Sequence, residues 1–392
     1  MFHVEHFVGY CQKHRISGKY GQNRHGGVRM NQKQDQAGNR EQEVNENKEK
    51  IICCGIQVNC NDKKHNMLER VEKYIDQAKE ELNNMRKNMD LLVLPEQFVQ
   101  LPETAEYYKE PYGITEMYVE AGAAGLDSDV KRKHKDEFRD WASRIARKYN
   151  TNLVAGSYPY VDKNGKIYNR SLVVDREGKI IGKYDKIHLF DAFNVRESDI
   201  FTAGNELGIF DLDIGKIGVW ICYDLRFPEI ARALRARGAD MFVVPAAFYK
   251  PHREHFDILV KSAAIMNVTP IIAVNQCGIL IDTKEKGNNV NKSNKGFVGG
   301  SVILDAKGAR RSVNHVDDVN AIDYKYQDNK EKDEKGEYKI DENGLKINFT
   351  EKDDENMEGY ILGEIDKIFT QISREANPEY TNRRIDLYKE WL

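Results

Sequence analysis

The sequence predicts an α/β fold in which helices cover buried sheets. Apolar runs of strand length alternate with amphipathic helical patterns through the middle of the chain, the signature of sheets packed under helices. Glu96, Lys186 and Cys222 each stand at the end of one apolar run, and strand ends are where α/β sheets assemble their sites. The 392-residue chain is only 40% hydrophobic, with a mean hydropathy of −0.69, so polar segments must dilute an ordinary core.

The elements follow in order. Residues 1–48 are rich in Gln, Asn, Gly, Lys and Glu, a composition that cannot offset its ordering entropy, and they read as a disordered leader before a folded region over 49–392. The first thirty residues lean basic, but serine is scarce and no amphipathic pattern emerges, so a transit peptide is poorly supported. A true start at Met30 or later reads equally well. Ile51–Val58 is a continuous apolar strand, followed by a helix with Met67, Val71, Tyr74, Ile75, Ala78 and Leu82 on one face. A strand over Asp90–Leu94 precedes a second helix marked by Phe138, Trp141, Ala142, Ile145 and Tyr149. Leu153–Tyr158, Ser171–Asp175 and Lys179–Tyr184 read as strands, with turns at Asn164-Gly165 and Glu177-Gly178. Beyond Cys222 come a helix with Ile230, Ala231 and Leu234, a strand at Met241–Pro245, a helix at His255–Met266 and a strand at Pro270–Asn275. Gly299–Asp305 and Tyr360–Ile365 are the last strands. Polar runs at about 283–295 and 312–357 read as solvated insertions, which a core tolerates at little entropic cost.

Composition excludes several classes. A net charge of −3 gives no electrostatic case for nucleic acid or an anionic membrane. No apolar run is long enough to span a bilayer, and no signal core opens the chain. Six scattered cysteines form no disulfide framework, so the expectation is a soluble, cytoplasmic protein. Cys53 and Cys54 should point to opposite faces of their strand, unable to share a metal, and with Cys60 they read as core. His252 and His255 could face a zinc ion together, but no partner stands at a recognised spacing, so no metal or other cofactor is expected.

The run Gly218-Val219-Trp220-Ile221-Cys222-Tyr223-Asp224-Leu225-Arg226-Phe227-Pro228-Glu229 delivers one thiol to a sharp turn at a helix start. Such a turn presents a nucleophile, and the helix dipole there should favour the thiolate. A buried core cysteine would read the same way taken alone. Glu96 and Lys186 supply a base and a cation, although carboxylates and ammonium groups at strand ends are often only solvated caps. A Cys222–His188 dyad is a rival pairing, since histidine is the commonest general base.

The chain resembles the nitrilase superfamily, the carbon–nitrogen hydrolases. The resemblance rests on Leu-Pro-Glu at 94–96, Lys-Ile-His-Leu-Phe at 186–190 and Cys-Tyr-Asp-Leu-Arg-Phe-Pro-Glu at 222–229. Arg196-Glu197-Ser198 with Phe201 and Gly204, then His255, Asn267, Gly299-Gly300-Ser301 and Arg383-Arg384 with Asp386-Leu387-Tyr388, extend it from about residue 51 to 392. The branch most similar holds ω-amidases and deaminated-glutathione amidases. The resemblance implies an αββα four-layer sandwich, with the strands at Gly299–Asp305 and Tyr360–Ile365 as neighbours. It implies hydrolysis of a small carboxamide through a thioester on Cys222, with Glu96 as base and Lys186 plus the Tyr223 backbone N–H holding the oxyanion. Glu197 would organise the site, and His188 would be structural. A symmetric homodimer through the face of the helix after Cys222 is also implied, with the Tyr380–Leu392 tail reaching across it. An N-carbamoyl hydrolase, a nitrilase and a non-catalytic scaffold remain alternatives. Where the family carries Arg-Ala-Arg-Ala-Ile-Glu-Asn, residues 261–267 read Lys-Ser-Ala-Ala-Ile-Met-Asn, and Phe256 stands where tryptophan is usual. An arginine and an acidic residue are missing, so the resemblance sets the reaction type and not the amide.

Overall fold

The computed structural model describes residues 49–59, 67–99, 128–192, 195–249, 252–279, 296–316, 331–332, 338–339 and 358–391. The leader at 1–48, the insertion at 283–295 and most of 312–357 lie outside the described residues. No helix among the described residues is long and apolar enough to cross a membrane.

Among the described residues, thirteen strands and six helices build the two main sheets and their cover. The strands are β1 (Lys50–Gln57), β2 (Leu91–Val93), β3 (Asn152–Val154), β4 (Tyr158–Val161), β5 (Ile167–Val174), β6 (Ile180–Asp185), β7 (Gly208–Leu212), β8 (Gly215–Val219), β9 (Met241–Ala246), β10 (Ile271–Asn275), β11 (Val302–Leu304), β12 (Ser312–Val316) and β13 (Gly359–Asp366). The helices are α1 (Met67–Asn84), α2 (Ser128–Tyr149), α3 (Pro228–Ala236), α4 (Arg253–Asn267), α5 (Lys367–Ala376) and α6 (Ile385–Trp391). One sheet runs β12-β13-β1-β2-β3-β5-β4, with β6 also on β5, and the second runs β11-β10-β9-β8-β7.

Strand alternation explains how the two sheets share a core. Ile52, Cys54 and Ile56 of β1 pack with Val71, Ile75 and Leu82 of α1 and with Trp141 and Ile145 of α2. Ile51 and Cys53 join Val219, Phe242, Val244 and Val274 of the second sheet. The adjacent cysteines thus face opposite ways, as the period of two requires. The sheets approach so closely at Gly55 that a Cβ there would lie 2.6 Å from the Val274 side chain. Ile230, Ala231 and Leu234 of α3 and Phe256, Val260 and Ala264 of α4 complete the second sheet's cover. The layers therefore run helix, sheet, sheet, helix, the expected αββα sandwich.

Two expectations need correction. The strand at Gly299–Asp305 does not pair with Tyr360–Ile365: Val302–Leu304 pairs antiparallel with β10 in the other sheet. The place beside β13 belongs to Ser312–Val316, the first five residues of the polar stretch at 312–357. Composition averaged over a long window hides a short edge strand, and edges tolerate polar residues. The apolar run at Leu153–Tyr158 is likewise two strands, broken at Gly156, whose φ is +58°.

Candidate active site

Several strand ends converge on one polar cluster. Leu94 and Pro95 continue β2 to Glu96, whose backbone N–H donates to the Ala246 carbonyl at 3.3 Å. The Gln276 amide donates to the Glu96 carbonyl at 2.6 Å. Gly156 is obligatory beside them, since a Cβ there would lie 2.2 Å from the Pro95 carbonyl oxygen. Lys186 directly follows β6, its N–H donating to the Asn169 carbonyl of β5 at 2.9 Å. Cys222 lies three residues beyond β8, at the start of a tight turn over Cys222–Arg226, with φ at +47°. A left-handed non-glycine residue costs about 1–3 kcal/mol and persists only where its surroundings hold it.

Asp224 supplies that hold. This fully buried carboxylate accepts from the Ile221 N–H at 3.0 Å and the Tyr184 hydroxyl at 2.7 Å. It also accepts from the His188 N–H and pairs with His188 Nδ1, both at 2.9 Å. One side chain thereby ties the Cys222 turn to the segment that carries Lys186. His188 stacks on Phe227 with ring centroids 3.7 Å apart. No hydrogen bond joins Cys222 to His188, whose Nδ1 pairs with Asp224 and whose ring lies on Phe227.

The buried core of the cluster is Glu96, Lys186, Glu197, Cys222 and Asn169. Lys186 Nζ lies 2.9 Å from Glu96 Oε1 and 2.8 Å from Glu197 Oε2. Glu197 opens a short turn after Arg196, and its Oε2 also accepts from the Phe190 N–H at 2.6 Å. Asn169 Nδ2 donates to Glu96 Oε1 at 2.8 Å and to Glu197 Oε1 at 3.1 Å. The Glu96 carboxylate and the Lys186 ammonium both stand close enough to act on the charge of the Cys222 thiol, and the Ala247 N–H points at its sulfur from 3.5 Å. Tyr223 is half-buried beside the thiol, its ring against Phe190 at 5.0 Å and Phe227 at 5.4 Å.

The electrostatics correct one expectation. Burial pushes the Cys222 thiol well above its ordinary value, Glu96 adds to the rise, and the Lys186 ammonium and the Ala247 N–H only partly oppose it. The resting sulfur is therefore a thiol and not the thiolate a helix start suggested. The turn after Cys222 is too short to bring a developed dipole, and desolvation dominates. Burial also pulls on the Lys186 ammonium, but Glu197, Glu96 and Cys222 more than reverse it and hold the group charged well above the lysine range.

Sequence reasoning placed Glu96, Lys186, Glu197 and Cys222, and these four side chains meet. It gave no role to Asn169, Asp224 or Gln276. Asn169 carried a signal, an asparagine inside a strand between Ile167 and Leu172, where strand preference disfavours it. The rings of His252 and His255 stack at 5.3 Å, and His255 Nδ1 lies 3.3 Å from the Arg226 guanidinium. Among the described residues no group of three or more His, Cys, Asp or Glu side chains is placed to hold a metal ion.

Residues 51–315 match the carbon–nitrogen hydrolase family. A deaminated glutathione amidase from Yersinia enterocolitica is 36% identical over 167 residues, which is 40% of this chain and 58% of that protein. A 2-oxoglutaramate amidase from Bacillus subtilis is 35% identical over 170 residues, 43% of this chain and 60% of that protein. The matched stretch thus spans less than two thirds of either relative. A carbon–nitrogen hydrolase from Helicobacter pylori has the same fold, with a TM-score of 0.62 at 20% identity over 88% of this chain and 99% of the other. With the match running from β1 into β12, the chain belongs to the carbon–nitrogen hydrolase family.

Proposed function

We propose that this protein is an amidase that hydrolyses a small carboxamide through a thioester on Cys222. The observation that carries the reading is the buried ion pair of Glu96 with the Lys186 ammonium, at 2.9 Å, in the cluster that also holds the Cys222 thiol. A thiol held protonated needs a base at the moment of attack, and Glu96 is in place to take the proton. Cys222 Sγ then bonds to the amide carbon, and the charge on oxygen is met by Lys186 and the Tyr223 backbone N–H. Glu96 passes its proton to the departing nitrogen, ammonia leaves, and the acyl group stays on sulfur. Glu96 next takes a proton from water, hydroxide displaces sulfur, and the carboxylic acid leaves with the thiol restored. Glu197 holds Lys186 on the side opposite Glu96.

The relatives are named for deaminated glutathione and 2-oxoglutaramate, which favours an oxo-acid amide as substrate. The test is a panel of 2-oxoglutaramate, 2-oxosuccinamate, carbamoylputrescine, deaminated glutathione and simple nitriles, following ammonia or the released amine. Turnover of an oxo-acid amide is expected. Turnover of the carbamoyl compound or a nitrile alone overturns the substrate class, and an inert protein overturns the reaction.

A homodimer in the cytoplasm belongs to the same proposal. Large apolar side chains stand exposed on α4 (Ile258, Ile265, Met266), α5 (Ile368, Ile372) and α6 (Ile385, Tyr388), and a partner subunit that covered them would remove apolar surface from water. Tyr380 lies between the Arg235 and Arg383 guanidinium groups of its own chain, at 4.9 and 3.9 Å, so this part of the tail packs on α3 instead of reaching away. Light scattering at micromolar concentration should give twice the chain mass; a monomer sinks the dimer.

A further inference from the structure

Asn169 touches every charged group of the cluster. Its side-chain nitrogen donates to Glu96 Oε1 and Glu197 Oε1, and its backbone carbonyl accepts the Lys186 N–H at 2.9 Å. The residue is fully buried. A carboxamide has two N–H bonds to give, and both are spent on carboxylates.

The orientation of that amide follows from its neighbours. Turned the other way, the carbonyl oxygen would face two carboxylate oxygens with no proton between them. In the observed orientation Oδ1 is buried and has no hydrogen-bond partner. Leaving a buried acceptor unsatisfied is costly, so the fold accepts a defect at one end of the amide to place donors at the other.

The two carboxylates are thus bridged twice, by the Lys186 ammonium and by the Asn169 amide. Glu96 Oε1 accepts from both donors, which leaves Oε2 as the oxygen able to exchange a proton. We propose that Asn169 is a positioning residue for the reaction: it keeps Glu96 and Glu197 apart as two acceptors and turns the free oxygen of Glu96 to Cys222. This rests on the amidase reading above.

The groups facing Glu96 are Lys186 beyond β6, Glu197 from its short turn, Cys222 beyond β8 and Asn169 from β5. Removing the neutral donor leaves the Lys186 ammonium alone between two carboxylates, so Glu96 loses one of the two bonds that hold it.

The test uses Asn169→Leu, which removes the donor, and Asn169→Asp, which keeps the shape and replaces the donor with a third carboxylate. At neutral pH kcat should fall about 10- to 100-fold in Asn169→Leu, the worth of one hydrogen bond to a charged group, with KM little changed. Asn169→Asp should fall further. A space-filling role predicts the reverse order, because Asp fits where Leu is only similar in volume. If Asn169→Leu fails to fold, the near-isosteric Asp variant carries the test alone. Alkylation of Cys222 by iodoacetamide needs no substrate and reads the same proton acceptance, so it should slow in both variants. Native activity and alkylation rate in Asn169→Asp overturn the proposal. A native protein inert on the whole amide panel, with alkylation still slowed in the variants, overturns the amidase reading and leaves Asn169 in place.

Discussion

Two buried charge clusters lie one residue apart on the same pair of strands. Arg170 of β5 stands opposite Asp185 of β6 in the ladder. Arg170 Nε and Nη2 grip the two Asp185 oxygens at 2.6 and 2.8 Å, and Lys183 adds a third bond at 2.6 Å. The next rung holds Asn169 and Lys186, joined by the Lys186 N–H and the Asn169 carbonyl. In the first cluster two cations surround one carboxylate, and the Arg170 guanidinium also lies 3.5 Å from the Tyr160 ring. In the second, two carboxylates share one ammonium, a neutral amide and a thiol. The first is closed and has no proton to move. The second has a carboxylate in excess beside a thiol that burial keeps protonated, so a proton has somewhere to go. Burial of charge alone does not mark a site; a carboxylate in excess beside a proton donor does.

The sharpest way to break this contrast is at the sulfur. Cys222→Ala should lower ammonia release by about 10⁴-fold or more while leaving the fold intact, since nucleophile loss removes the covalent route. A mass shift for the acyl adduct, trapped by acid quench in the native protein, should vanish with it. Turnover near the native rate would put the reaction elsewhere.

Glu96→Gln tests the surplus carboxylate. The amide keeps the shape and cannot take the thiol proton, so kcat should fall about 10²- to 10⁴-fold, the usual worth of a general base. A native kcat would make Glu96 a bystander.

Arg170→Met addresses the cation-rich cluster and should act on stability, with kcat/KM changed little in whatever fraction folds. Removing one partner of a buried pair costs about 3 kcal/mol, toward the low end because Lys183 still holds Asp185. The denaturant midpoint reads it. Burial raises the Asp185 carboxyl, and the bonds from Arg170 and Lys183 outweigh it, so the group sits below the ordinary aspartate value. A depressed folded-state value stabilises above the unfolded value, about 3.9 for aspartate, and that contribution is lost as pH falls through the folded one. The variant should therefore lose less stability than the native protein on going below about pH 4. Equal losses would mean that the pair is idle.

The smallest effect concerns labelling order. Cys53, Cys54 and Cys277 are completely buried, whereas Cys222 retains 9% exposure. Iodoacetamide should mark Cys222 first among these four, and in Glu96→Gln its alkylation midpoint should lie above that of an ordinary cysteine thiol, as burial of the thiol requires. A midpoint below that value would restore the thiolate reading.

The sequence by itself determined the α/β class and put Glu96, Lys186 and Cys222 at strand ends, while the four layers and Glu197 came with its resemblance to a known family. Apolar runs set the strands, helical periodicity set α1 to α4, and strand ends put Glu96, Lys186 and Cys222 on one list. These signals are local, carried by residues within a few positions of one another. The tertiary structure alone decided the partners. Asn169 meets Glu96 across 73 positions, Gln276 meets the Glu96 carbonyl across 180, and Asp224 meets His188 across 36. The same holds for the edge place taken by Ser312–Val316 and for the protonated state of Cys222. Each follows from what packs against a group, and burial and hydrogen bonding between distant segments have no period along the chain.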